Sequence, residues 1–175
     1  MGSATWHNRF HNLNRNYRRN WRFCMNKPLR ILVIADTHNK LPAKVLELAQ
    51  SADEVWHLGD VCEKWIVDEL RTAGPPLTLV HGNCDNNRAW PLVCKLTRNG
   101  IRFRLQHISP PPMAARDCDV LLHGHTHVPR DETIDGVRFL NPGCVTRPNR
   151  GAPPGVAWLE VYGNGEVRWH LKLLR

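Results

Sequence analysis

The chain of 175 residues is long enough for one domain with a substantial hydrophobic core. No run approaches the roughly 20 consecutive apolar residues that a membrane-spanning helix needs, so we expect no membrane association. The formal net charge is +8, but five arginines and no acidic residue fall within residues 1–24. The remaining residues 25–175 therefore carry a formal charge of only +3 and are mildly basic.

Residues 1–24 differ in composition from the rest of the chain, because they combine arginine, asparagine and aromatic residues. Basic residues interleaved with aromatic ones can contact single-stranded nucleic acid. A terminal segment of uniform charge is, however, more often disordered. We therefore expect a basic, disordered tail over residues 1–24 and one domain over residues 25–175, with Met25 as an alternative start. Nucleic-acid binding by the tail stays open.

The six cysteines are spread along the chain and include no CxxC pair, which predicts reduced thiols in a cytoplasmic protein. The N-terminal residues also lack the apolar stretch of a secretory signal.

The first half alternates between two kinds of hydrophobic pattern. Short apolar runs at 29–35, 54–58 and 77–80 predict buried strands, and helical spacing over 41–51 and 65–73 predicts helices. This βαβαβ order implies parallel strands.

The second half is marked by three turn sequences, Asn99-Gly100, Asp135-Gly136 and Gly163-Asn164-Gly165. Such sequences favour the tight turns of β-hairpins. The predicted strands are 93–97 with 101–106, 133–134 with 137–140, 156–162 with 166–173, and a single strand at 119–122. Both halves together predict an α/β fold, a four-layer α/β/β/α sandwich of two mixed β-sheets flanked by helices.

Metal-binding side chains follow the predicted strands, at the end of an α/β sheet where ligand sites usually lie. They comprise two carboxylates, one amide and four imidazoles, which exceeds the need of a single tetrahedral ion and suits two ions. We expect Mn²⁺ first, with Ni²⁺, Zn²⁺ or Fe as alternatives. The residues are Asp36, His38, Asp60, Asn83, His107, His125 and His127.

In this order the motifs resemble those of the calcineurin-like metallophosphoesterase superfamily, over about residues 29–175. The sequence Asn141-Pro142-Gly143 is similar to the small bacterial and archaeal phosphodiesterase branch. The motifs that carry the resemblance are Asp36-Thr37-His38, Gly59-Asp60, Gly82-Asn83-Cys84-Asp85, His107 and Gly124-His125-Thr126-His127.

The resemblance implies a dinuclear enzyme that hydrolyses phosphodiester bonds, with phosphomonoesters as an alternative substrate, through a metal-bridging hydroxide. Asp60 would bridge the two ions and, with Asn83, would take part in catalysis. Metal one would be bound by Asp36, His38 and His127, and metal two by Asn83, His107 and His125.

Two positions depart from the family pattern. Cys84 stands where many members have a histidine that acts as general acid, which puts efficient protonation of an alkyl leaving group in question. His107 is followed by Ile108 instead of glycine, so it is the least secure ligand.

Several further residues lie close to the motifs. We expect His57 to hydrogen-bond a neighbouring group and Asp85 to orient a ligand imidazole. His81 and His123 stay open as donors to phosphate or as substitutes for the missing acid. We expect Arg147 and Arg150 to lie in a solvated loop, with phosphate binding as the alternative.

Two classes of function remain. The first is the metal-dependent phosphoesterase, which has a phosphoester substrate and could be a homo-oligomer. The alternative is a weakly catalytic or non-catalytic protein-binding scaffold of the same fold, similar to the retromer subunit. A nuclease that holds nucleic acid through the basic tail ranks lowest. The complete ligand set favours the enzyme, because a scaffold has no need of all seven residues.

Overall fold

The computed structural model of the protein describes residues 27–174. The predicted tail, the alternative start at Met25 and the last residue of the predicted domain lie outside the described residues. Within the described part, no helix is long and apolar enough to cross a membrane.

The first half forms the predicted alternation of strands and helices, with every boundary within two residues of its predicted position. Strands β1 (Leu29–Ile34), β2 (Glu54–His57) and β3 (Leu77–Leu79) are parallel neighbours, connected through α1 (Ala43–Gln50) and α2 (Lys64–Thr72). The predicted parallel arrangement is confirmed.

The last two strands complete this first sheet. β9 (Gly155–Val161) pairs antiparallel with β1, and β10 (Val167–Leu173) pairs antiparallel with β9. The strand order is therefore β10-β9-β1-β2-β3. The chain thus returns to the first sheet only after it has built the second.

The second sheet has the strand order β4-β5-β6-β8-β7. The pairs β4–β5 and β7–β8 are antiparallel hairpins, whereas β5, β6 and β8 run parallel to one another. All three predicted hairpins are confirmed. The strands are β4 (Val93–Arg98), β5 (Ile101–Gln106), β6 (Val120–Leu122), β7 (Arg130–Ile134) and β8 (Val137–Asn141).

Two of these hairpins turn through backbone conformations that their sequences favour. Asn99 and Gly100 have φ angles of 48° and 82°, and Asp135 and Gly136 have φ angles of 51° and 82°. Positive φ at both central residues defines a type I′ turn, whose twist matches that of the flanking strands.

The main hydrophobic core lies between the two sheets. Trp56 of β2 and Phe103 of β5 meet there edge to face, with ring centroids 5.2 Å apart. Alternate residues of β1 point the other way, so that Leu32 and Ile34 pack against the helices. Full burial of such side chains contributes roughly 1.5–3 kcal/mol each.

The outer face of the second sheet is covered by less helical structure than that of the first sheet. A 3-10 helix (Pro112–Ala115) packs Ala115 against Leu121 and Phe139 there. The predicted two-sheet sandwich flanked by helices is confirmed, with one short helical turn as its outer layer on this side.

The loops that follow neighbouring strands are joined to each other within each sheet. Asp36 N–H donates to Gly59 O at 3.1 Å, which connects the loops after β1 and β2. Gly124 N–H donates to His107 O at 3.0 Å, which connects the loops after β6 and β5. The candidate ligands are carried on these loops.

Candidate functional site

The structure brings all seven predicted ligands to one end of the two sheets. The ligand atoms of Asp36, His38 and His127 lie within 4.8 Å of one another, and so do those of Asp36, Asp60 and His107. Asn83 and His125 contact the same cluster through hydrogen-bond distances. His107, the least secure ligand from its sequence, is buried within the cluster.

One half of the cluster contains two imidazole nitrogens that face each other. His38 Nε2 lies 3.2 Å from His127 Nε2, and Asp36 Oδ1 lies 3.4 Å from His127 Nε2. Two unprotonated ring nitrogens repel each other at this distance, whereas a shared proton or cation would attract both. This half fits a cation held by two imidazoles and a carboxylate.

The other half is centred on the side-chain oxygen of Asn83. Its Oδ1 lies 2.9 Å from His107 Nε2 and 2.9 Å from His125 Nδ1. An amide oxygen and two imidazole nitrogens are thus gathered within direct reach of one point. These are ligand types that suit a divalent first-row metal.

Asp60 lies between the two halves and faces both. Its Oδ1 is 3.3 Å from His107 Nε2, and its Oδ2 is 3.8 Å from His38 Nε2. Each carboxylate oxygen is therefore directed to a different imidazole. One carboxylate is thus within reach of imidazoles in both halves of the cluster.

Two of the imidazoles are held in the form that can bind a metal. His107 Nδ1–H donates to Leu58 O at 2.8 Å, and His127 Nδ1–H donates to Arg147 O at 2.5 Å. With the proton on Nδ1, the lone pair of Nε2 points into the cluster. Carbonyl groups behind metal-binding histidines commonly fix the ring in this way.

Five of the candidate ligands have unusual backbone conformations. Asp36, His38, Asp60, His125 and His127 all have φ between 43° and 67°. This left-handed region is uncommon for residues other than glycine and costs about 1–3 kcal/mol per residue where packing imposes it. Five candidate ligands in this region indicate loops shaped for the site and not for stability.

The glycines that precede three of the ligands are required by close packing. A Cβ atom at Gly82 would lie 2.1 Å from Asp60 N and 2.2 Å from Asp60 Oδ1. A Cβ atom at Gly59 would lie 2.8 Å from Gly82 N, and one at Gly124 would lie 3.0 Å from Asp36 Oδ2. The three metal-ligand loops therefore interlock through positions without side chains.

Asp85 stabilises these loops through the main chain. It accepts hydrogen bonds from the N–H groups of Asp60 at 3.1 Å, Cys62 at 2.7 Å and Gly82 at 2.7 Å. The prediction that Asp85 orients a ligand imidazole is therefore wrong. The carboxylate instead satisfies loop N–H groups that are buried or partly buried, and this fixes the backbone of Asp60.

The pKa values of three candidate ligands are shifted from their ordinary values. Burial raises the pKa of Asp36 from its ordinary value of 3.8 to about 7, although His107 and His127 oppose this shift. Burial would also raise the pKa of Asp60, but hydrogen bonds from His107 and the Cys84 N–H outweigh it and lower that pKa. Burial lowers the pKa of His38. A cation would favour the charged form of Asp36.

Cys84 is held at the edge of the cluster by its backbone. Its N–H donates to Asp60 Oδ1 at 2.8 Å, while burial and the negative charge of Asp60 raise the pKa of its thiol. The sequence interpretation missed Cys62, whose Sγ lies 3.7 Å from His38 Nδ1. The ligand atoms of His38, Cys62 and Cys84 also lie within 4.8 Å of one another.

His57 hydrogen-bonds neighbouring groups of the site, as predicted. Gly59 N–H donates to His57 Nδ1 at 3.2 Å, so the ring carries its proton on Nε2, which lies 3.1 Å from Thr37 Oγ1. Thr37 Oγ1 in turn donates to Asp60 O at 3.4 Å. Burial lowers the pKa of His57 to about 3, so the ring stays neutral.

His123 is also buried and is not placed to act as an acid. Arg130 Nη1 lies 3.4 Å from its Nε2, and its Nδ1 lies 3.1 Å from Gly124 O. Burial lowers its pKa to about 4. Asn141 fixes the same loop, because its Nδ2 donates to Gly124 O at 2.9 Å and to Thr126 Oγ1 at 3.1 Å.

Because buried His57 is neutral, the free energy of unfolding should depend on pH. The pKa of His57 is lower in the folded protein than in the unfolded chain, where it is about 6.5. Its contribution to the free energy of unfolding is therefore complete above pH 6.5 and is lost as the pH falls towards 3. For metal-free protein, we expect His57→Gln to reduce the dependence of the unfolding free energy on pH by up to about 1.4 kcal/mol per unit between pH 6 and pH 4. Urea unfolding at several pH values measures this. The exposed His170→Gln should keep the wild-type slope, and an unchanged slope in His57→Gln would contradict the assignment.

The remaining predicted positions lie around the rim of the cluster. His81 lines a cavity that also contacts Asn83 and His107. Arg150 lines a second cavity beside His125. The backbone of Arg147 contacts the site through its carbonyl group, which accepts the hydrogen bond from His127.

A two-sheet α/β sandwich with carboxylates and imidazoles gathered at its strand ends defines a class of proteins suited to divalent metal ions. The model of the calcineurin-like phosphoesterase superfamily domain matches residues 29–164, and the chain belongs to this family. The predicted family is thereby confirmed. Divalent metal ions are implied by the family, and the residues present fit them.

Comparisons with individual proteins agree with this assignment. Phosphodiesterase YfcE of Escherichia coli K12 is 26% identical over 162 residues, which cover 75% of this chain and 88% of YfcE. The solution structure of a Thermotoga maritima protein is 33% identical, with a TM-score of 0.67 and coverage of 83% of this chain and 99% of that one.

The structure is also similar to Vps29. The crystal structure of a single mutant of Vps29 from Entamoeba histolytica gives a TM-score of 0.68 at 24% identity, and covers 83% of this chain and 99% of that one. At this identity the likeness shows the shared fold alone.

Proposed function

We propose that the protein is a dinuclear metal-dependent phosphodiesterase, with phosphomonoesters as an alternative substrate. The observation that carries this proposal is the position of Asp60, whose two carboxylate oxygens face the two halves of the ligand cluster at 3.3 Å and 3.8 Å. The similarity to a protein named phosphodiesterase supports the same reaction.

In this proposal each half of the cluster would hold one ion, and Asp60 would be a ligand available to both. The ions, when bound, supply the positive charge that polarises a phosphoryl group and lowers the pKa of water. Metal one is assigned to Asp36, His38 and His127, and metal two to Asn83, His107 and His125.

The protein residues contribute orientation and one hydrogen bond to substrate. The Oδ1 atom of Asn83 faces the two imidazoles, while its Nδ2 lies 3.4 Å from Cys84 Sγ. We infer that this Nδ2 donates to a phosphoryl oxygen when substrate is bound. The backbone carbonyls behind His107 and His127 keep both rings oriented throughout.

We expect metal removal to abolish turnover. Protein stripped of metal by a chelator should not hydrolyse bis-p-nitrophenyl phosphate. Mn²⁺, with Ni²⁺ or Zn²⁺ as alternatives, should restore activity more fully than Mg²⁺, because imidazole ligands suit first-row transition metals and Mg²⁺ prefers oxygen ligands. Release of p-nitrophenolate measures the rate. Turnover by metal-free protein would contradict the proposal.

The alternative function is a protein-binding scaffold of the same fold, a fold that the protein shares with Vps29. The metal-removal and metal-restoration experiment also distinguishes the enzyme from the scaffold. Protein that binds two equivalents of metal but hydrolyses neither a diester nor a monoester would support the scaffold. We further propose that the protein is cytoplasmic and acts through residues 25–175.

Cys84 leads to a prediction about leaving groups. General acid catalysis typically contributes ~10²–10⁴-fold where protonation limits the rate. We therefore expect Cys84→His to raise kcat/KM for an alkyl phosphodiester by about 10²-fold. The same variant should change kcat/KM for an aryl diester little, because p-nitrophenolate leaves without a proton. Steady-state kinetics at fixed metal content measure both.

The matched variant is Cys84→Ala, which keeps the backbone N–H that donates to Asp60. This variant should leave kcat/KM for the aryl diester almost unchanged. Loss of aryl turnover in Cys84→Ala, with both metals still bound, would show that the thiol itself takes part in catalysis.

A further inference from the structure

An apolar cavity of about 350 Å³ lies directly beside the candidate metal centre. It shares two wall residues with that centre, Asn83 and His107. The volume is within the range of sites that hold small molecules. Anything bound in the cavity would therefore adjoin a group held at metal two.

The apolar walls of this cavity are exposed to an extent that the fold does not explain. Leu92 is 70% exposed, Ile108 is 51% exposed and Val93 is 39% exposed. Only seven large hydrophobic side chains are exposed among residues 27–174, and three of them line this one cavity. Clustered exposed apolar side chains usually mark a surface that a ligand covers.

The cavity does not offer a free positive charge to a second anionic group. Arg104 is its only lysine or arginine among the described residues. Its Nε donates to Gln106 Oε1 at 2.7 Å, and its Nη1 donates to Ala114 O at 2.6 Å and to Asp117 Oδ1 at 3.1 Å. The charge is already paired, so an uncharged group fits this cavity better than an anion.

A second cavity beside the centre has a different lining. Its volume is about 570 Å³, and it lies beside His125, with Arg130 and Arg150 in its walls. Because Asn83 Oδ1 is 2.9 Å from both His107 and His125, metal two would lie between the two cavities. A phosphoryl group held there would adjoin the apolar cavity beside His107 and, beside His125, a cavity whose walls include Arg150.

We propose that the cavity lined by Leu92, Val93 and Ile108 binds an apolar ester arm of the substrate, an aryl or branched aliphatic group. The substrate class is then a phosphoester with at least one bulky uncharged arm. This inference rests on the proposed function, because the phosphoryl group must be held at the metal centre for the arm to reach the cavity.

Binding of two phosphonates to the Mn²⁺-loaded protein tests the inference without turnover. Phenylphosphonate and methylphosphonate have the same head group and differ only in the arm. We expect the wild type to bind phenylphosphonate about tenfold more tightly, and Leu92→Ser to reduce this ratio by about threefold or more without changing the Kd of methylphosphonate. Titration calorimetry measures each Kd.

The matched control is Leu171→Ser, an exposed leucine on β10 that does not line this cavity. It should keep the wild-type ratio. A ratio near one in the wild type, or an undiminished ratio in Leu92→Ser, would overturn the cavity assignment while leaving the metal centre intact. Failure of the wild type to bind either phosphonate would instead overturn the proposed phosphoryl site itself.

Discussion

Asp60→Asn is expected to lower the metal content from two equivalents to one or fewer and to reduce kcat/KM for bis-p-nitrophenyl phosphate by about 10³-fold. Asparagine keeps the size of the side chain but removes the negative charge that faces both halves of the cluster. A bound metal contributes several kcal/mol of transition-state stabilisation, and each 1.36 kcal/mol corresponds to about tenfold in rate.

The matched control is Asp68→Asn, which removes an exposed carboxylate of α2 that pairs with Lys64. It should retain both metals and full activity. Metal analysis of the purified variants, together with kinetics at saturating Mn²⁺, distinguishes the two. Two full equivalents of metal in Asp60→Asn would contradict its shared position.

The fold was predictable because its signals are local. The buried strands of the first sheet are short apolar runs, and the hairpins depend on dipeptides such as Asn99-Gly100 that adopt positive φ. β7 was the exception, because it begins at Arg130, three residues before its predicted start. Its exposed Asp131 and Glu132 lie on an edge strand, where neither face produces a hydrophobic pattern.

The clustering of the seven candidate ligands was also predictable, since the ends of neighbouring parallel strands must meet. His107 shows how far this rule extends. Its local sequence departs from the family pattern at Ile108, yet the end of β5 places it against Asp60. The strand topology therefore indicates the position of His107 better than the identity of the following residue does.

The supporting contacts could not be predicted, because they depend on distances between loops that are far apart in sequence. Asp85 bonds to the main chain of Asp60 across 25 residues, and Cys62 approaches His38 across 24. Neither residue type indicates such a partner in advance. The left-handed conformation of five candidate ligands was likewise not predictable, since Asp and His do not by themselves require positive φ.

Close packing of the loops makes Gly82→Ala the substitution with the second large expected effect. The added Cβ would lie 2.1 Å from Asp60 N and 2.2 Å from Asp60 Oδ1, and this backbone cannot move away without displacing the loop after β2. We expect the variant to lose at least one equivalent of metal and about 10²-fold or more in kcat/KM, because misplacing a catalytic group by about 1 Å can cost that much.

The appropriate control is Gly136→Ala. Gly136 has φ of 82° and nothing within 4 Å of an added Cβ, so this variant introduces backbone strain in a hairpin turn without any collision. It should lower the melting temperature slightly and keep both metals. If Gly82→Ala lost only as much stability as Gly136→Ala and still bound two equivalents of metal with full activity, the loop after β3 would not be positioned by Asp60. The ligand cluster would then owe its geometry to the strands alone.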